Sequence, residues 1–167
     1  GGVQLVRVSA GELGDVRVSS AGQIEGDGTD SVDITGGGLV LAAVGGIDVD
    51  TAVGTISAVT TGAGTIVIEE SDGVTLDSVV ASDGSISVSA GGDMVVTSVE
   101  STTNSAGNDV TLETSAGGIQ LVRVSAGALG DVSVSSAGAI TEDGDATTVV
   151  SGGGLSLSSV GGIDVDT

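Results

Sequence analysis

The stretch GGVQLVRVSAGELGDVRVSSAGQIEGDGTDSVDITGGGLVLAAVGGIDVDT, residues 1–51, decides the fold because it occurs twice. Residues 117–167 repeat it without a gap, at an offset of 116 (117 − 1) and with 35 of 51 positions identical. A long ungapped internal copy marks a repeat architecture, in which each unit covers the exposed face of its neighbour. The 167 residues therefore read as one continuous segment of an array rather than as a self-contained enzyme.

Inside the stretch, apolar residues alternate with polar ones in short runs separated by Gly, Ser, Asp and Asn, which is the period of strands and turns. One series of runs begins at Val16, Leu39, Ile66, Ile86, Val110, Val132 and Leu155. Each has an apolar partner two residues on, at Val18, Leu41, Ile68, Val88, Leu112, Val134 and Leu157, so both point to one side of a strand. A second series follows at Ile24, Ile47, Val74, Met94, Ile119, Ile140 and Ile163, with Val3 opening a partial first rung. The mean spacing, (155 − 16)/6, predicts about seven rungs of about 23 residues, five of them to each 116-residue repeat.

The expected fold is all-β: a single right-handed parallel β-helix, or β-solenoid, over 1–167. Its handedness follows the usual crossover of parallel strands. Proline is absent, as interior strands that need every N–H for the ladder require. Pairs such as Gly45-Gly46 and Gly161-Gly162 mark corners. The two copies differ at Arg17/Ser133, Val40/Ser156 and Ala42/Ser158, while Val16, Val18, Leu39 and Leu41 recur unchanged, which assigns the recurring positions to the core.

Composition narrows the function. There is no Cys, His, Phe, Tyr, Trp or Lys, and the basic residues are Arg7, Arg17 and Arg123 against a net charge of −20. Nucleic acid and anionic membranes are poor partners for such a chain. The apolar run Leu39–Val44 is far shorter than the roughly 20 residues that span a bilayer, so no membrane insertion is expected. Both ends carry interior repeat motifs, GGVQLVRV and GGIDVDT, which suggests an excised piece that continues into further copies.

At GDVRVSSAGQI (14–24), GSISVSAGGDM (84–94), NDVTLETSAGGI (108–119) and GDVSVSSAGAI (130–140), the chain resembles the repeats of filamentous-haemagglutinin-like bacterial exoproteins and adhesins. The resemblance implies a right-handed β-helix, an extracellular or cell-surface location and an adhesive fibre. It carries over no catalytic residue, and the amino-terminal secretion domain of that family is not recognisable here.

With this rung spacing, outward residues form two ladders: Glu25, Asp48, Thr75, Val95, Gln120, Thr141, Asp164, and Asp27, Asp50, Asp77, Thr97, Val122, Asp143, Asp166. Carboxylates about 4.8 Å apart repel by roughly 1 kcal/mol in water. A calcium ion, which takes about 6 to 8 oxygens, would relieve that at Glu25, Asp27, Asp48 and Asp50, and at Asp143, Asp164 and Asp166. The plainer reading is a solvated acidic face. No EF-hand loop or GGxGxDxUx nonapeptide is present.

Catalysis is not expected. A polysaccharide-modifying β-helix enzyme would have to work with carboxylates alone, without His, Lys or Cys and without an aromatic platform for a sugar. The outward positions mix Ser, Thr, Asp, Arg and Val, unlike the Thr-x-Thr array of an ice-binding surface, and the missing lysine excludes isopeptide staples. The polar turn 100–108 reads as an ordinary turn rather than a glycan or receptor contact. The expected function is the structural body of an extracellular bacterial fibre or adhesin, with other copies of itself as partners. The alternative is a passive stalk that presents a separate receptor- or glycan-binding module.

Overall fold

The computed structural model describes residues 1–29, 31–145 and 149–165. Among these are nineteen strands and no helix. They form one right-handed β-solenoid whose strand pairs are all parallel. Alternating Val, Ile and Leu place one side of each strand inward, so Ile86–Ala90 and Val110–Thr114 bury every second residue.

Two faces carry the coil. On the first, inward residues stack in the column Val3, Ile24, Ile47, Ile66, Ile86, Val110, Val132, Leu155. On the second, they stack as Val16, Leu39, Ile56, Leu76, Val96, Leu121. The first column counts eight turns, and the second spaces them at (121 − 16)/5, or 21 residues. Ile24, Leu39, Leu41, Ile56, Ile66 and Leu76 are among the fully buried side chains, so the core is a pile of aliphatic layers.

The rung count expected from sequence is therefore one too few. Leu39 to Ile66 is not one rung but one and a half: the chain passes from Leu39 to Ile47 on the first face, returns to the second at Ile56 and reaches the first again at Ile66. The strand Ile47–Ala63 makes this passage over 17 residues without a break. It turns the corner at Gly54, against the Gly37 carbonyl oxygen. With no polar turn to punctuate it, one strand covers parts of two faces. Beyond it the two apolar series exchange faces: Ile24 and Ile47 stand on the first, Val74, Met94, Ile119 and Ile140 on the second.

The repeat copies follow the same exchange. Val16 lies in the second column, whereas its counterpart Val132 lies in the first. Eleven face-to-face steps separate them, so 116 residues make five and a half turns rather than five. The copies nonetheless build the same bonds at their glycine corners. Gly22 N–H donates to Ser20 Oγ at 3.1 Å and Gly138 N–H to Ser136 Oγ at 3.2 Å. Gly45 N–H donates to Gly22 O at 2.8 Å and Gly161 N–H to Gly138 O at 2.9 Å. Gly11 and Gly127 open their turns at φ 72° and 71°, a conformation that favours glycine.

Candidate functional site

Four of the acidic residues singled out in the sequence come together. Glu25 pairs with Asp48 on the next turn, and a cleft of about 290 Å³ is lined by Glu25, Asp27, Asp48 and Asp50. At its base lies a fifth carboxylate that the sequence reading passed over. Asp33 is 1% exposed and accepts N–H bonds from Asp27 at 3.3 Å and from Asp50 at 3.2 Å. A β-carbon at Gly26 would collide with Asp33 Oδ2, so the glycine makes room for the carboxylate. Asp27 accepts from the Thr29 hydroxyl at 2.6 Å and the Thr29 N–H at 3.0 Å, and these bonds hold its carboxyl below the usual range. Asp33 and Asp27 therefore close the loop between two strands.

The second copy does not reproduce this cleft. Glu25, Gly26 and Asp33 are replaced there by Thr141, Glu142 and Val149. Asp143 accepts from the Asp145 N–H at 3.0 Å, and Asp164 stacks on Thr141 on the second face. Asp166 lies outside the described residues. No group of three or more Asp or Glu side chains among the described residues is placed to hold a metal ion.

The continuous ladders drawn from sequence break at the half-turn. Asp48 is followed by Val67, not Thr75, and Thr75 stacks on Thr55. Asp50 is followed by Glu69, Ser89 and Glu113. Asp77 is the extra residue of a bulge between Leu76 and Ser78, opposite Ile56 and Ser57. The column from Asp50 through Glu69 to Glu113 was hidden because the sequence spacing assigns Ile47 and Ile66 to different series, whereas they stack directly on one another.

That column borders a second cleft, of about 360 Å³, with Glu70 in its wall. Glu70 is 4% exposed and stands in the inward corner column between Thr51 and Ala90. Thr51 Oγ1 donates to Oε2 at 2.7 Å, Val53 N–H reaches both oxygens at 3.2 and 3.1 Å, and Asp72 N–H reaches Oε1 at 3.4 Å. Burial, only partly offset by the Thr51 and Val53 bonds, pushes its carboxyl up to about 7. Both oxygens are thus engaged in holding the corner.

No family model, curated protein or solved structure matches this chain. The fold is that of a parallel β-solenoid repeat protein. Both acidic clefts contain a carboxylate that braces backbone N–H groups, and the first cleft is not rebuilt in the second copy.

Proposed function

We propose that the chain is a non-enzymatic structural repeat segment that forms the body of a bacterial extracellular fibre or surface adhesin. One observation carries this most directly: the second copy rebuilds the glycine-corner hydrogen bonds of the first on a parallel ladder, as between Ser20 and Gly22 and between Ser136 and Gly138. A unit that stacks on its own copy is suited to building length. The buried carboxylates also favour a structural part, since Asp33 and Glu70 spend their oxygens on backbone N–H groups. The resemblance to filamentous-haemagglutinin-like repeats supplies the extracellular setting.

Negative-stain and cryo-electron microscopy of material stripped from the cell surface, with antibody labelling of this segment, tests the proposal. Label spaced regularly along continuous rods is the expected result. Label confined to discrete globular particles would contradict it. Label along the shaft with a separate, unlabelled ligand-binding tip would select the stalk form.

A further inference from the structure

The half-turn offset between the repeat copies fixes how one 116-residue unit meets the next. We propose that successive units join through their rung faces half a turn apart, so that the rod has a two-unit period of 232 residues (2 × 116) and eleven turns, and shows every repeated surface element alternately on opposite edges. The inference rests on reading the chain as part of a tandem array; its own content is the angle between units and the bilateral display that follows.

Three sets of positions carry it. Val16 and Val132, equivalent in sequence, stand in different columns, the first with Leu39 and Ile56, the second with Val110 and Leu155. Ile24 stacks with Val3 and Ile47 on the first face, and its equivalent Ile140 with Ile119 and Ile163 on the second. The glycine corners exchange as well. Gly22 belongs to the corner of Gly45, Gly64 and Gly84, where each added β-carbon would strike the corner below or above it. Its equivalent Gly138 belongs to the other corner, over Gly117 and under Gly161.

A sequence folds equally well on either face only if the faces are interchangeable, and the matched bonds show that they are. Thr35 Oγ1 bonds Ser9 Oγ at 2.7 Å in the first copy, and Ser151 Oγ bonds Ser125 Oγ at 3.1 Å in the second. Gly37 N–H to Gly14 O, 2.7 Å, becomes Gly153 N–H to Gly130 O, 2.6 Å. A third copy entering on the opposite face meets the same geometry again. The exposed turn tips Leu13 and Leu129, 99% and 57% exposed, accordingly lie at opposite corners, so one such turn per unit faces each side of the rod in alternation.

Cryo-electron microscopy of the native rods, averaged along their length, reads the angle directly. With rungs about 4.8 Å apart, the expected axial translation per unit is about 26 Å, combined with a half-turn rotation. A translation of about 24 or 29 Å without that rotation, meaning five or six whole turns per unit, would overturn the half-turn joint while leaving the tandem array standing. Rods with no axial period beyond the rung spacing would overturn the array and the joint together.

Discussion

Thr51 Oγ1 donates a 2.7 Å hydrogen bond to Glu70 Oε2 at the corner where the strand Ile47–Ala63 leaves the first face for the second. Val53 N–H, one turn below, points at the same carboxylate. Between Thr51 and Thr55 the chain takes four steps, but five between their partners Glu70 and Thr75, so the upper turn bulges there and the Glu70 side chain serves as acceptor for Val53.

That role makes stability depend on pH. The Glu70 carboxyl has a folded value near 7, above the ordinary value of 4.5, so the folded state holds a proton that the unfolded chain has released between those limits. Its contribution is fully present below about 4.5 and is lost as pH rises through about 7. Acidic groups near it are Asp72, whose N–H touches it, and Asp50, Glu69 and Glu113 along the cleft; their mutual repulsion also grows with pH. Melting of wild type and Glu70→Gln from pH 4 to 8 separates the two effects: the wild type should lose more stability across the range than the variant. Equal slopes would show that the buried carboxyl does not hold the extra proton.

Gly26 and Asp33 should behave as a coupled pair. Gly26→Ala forces a methyl into the Asp33 carboxylate and is expected to destabilise by about 1–3 kcal/mol, the range for overpacking a well-filled site. In Gly26→Ala/Asp33→Val much of the collision is gone, so the double variant should lose less than the two single variants added together. Denaturant melts of the four proteins measure the coupling, and strict additivity would show that the glycine does not exist to admit the carboxylate.

The first acidic cleft is built by hydrogen bonds and charge. Raising sodium chloride from low salt to about 0.5 M should raise Tm by screening the −20 net charge. Adding millimolar calcium at constant ionic strength should raise it no further, and adding a chelator should leave it unchanged. A specific calcium-dependent rise, abolished in Asp48→Asn, would restore the metal reading of Glu25, Asp27, Asp48 and Asp50.

Ile56 distinguishes two possible cores. It is fully buried between Leu39 and Leu76, so Ile56→Ala should cost about 2–5 kcal/mol. Val67, in the outward position between Asp48 and Ser87, should tolerate alanine within about 0.5 kcal/mol. A large loss at Val67 with little at Ile56 would reverse the sides of these strands.

The coil itself was legible because apolar alternation and glycine corners are local signals, repeated often enough to be counted. Val16, Leu39, Ile86 and Val110 all point inward as their spacing implies. The half-turn was not legible, because Ile47–Ala63 crosses a corner at Gly54 with no turn sequence to mark it, and spacing alone cannot tell Leu39–Ile56 from Leu39–Ile66. Every ladder that crosses this strand was affected. Asp33 and Glu70 escaped notice for another reason. Sequence marks a carboxylate as acidic, but its burial depends on which backbone N–H groups the fold leaves beside it.

The half-turn is tested most directly by disulfide trapping in a chain that has no native cysteine. Val40 and Ser57 are facing neighbours on adjacent turns, within the roughly 4.4–6.8 Å between α-carbons that a disulfide spans. Val40→Cys/Ser57→Cys should close to an intramolecular disulfide under mild oxidation, and Val40→Cys/Val67→Cys should not. The reverse outcome, with the Val40→Cys/Val67→Cys variant bridged and the Val40→Cys/Ser57→Cys variant left with two free thiols, would restore whole-turn repeats and contradict the fold described for residues 39–66.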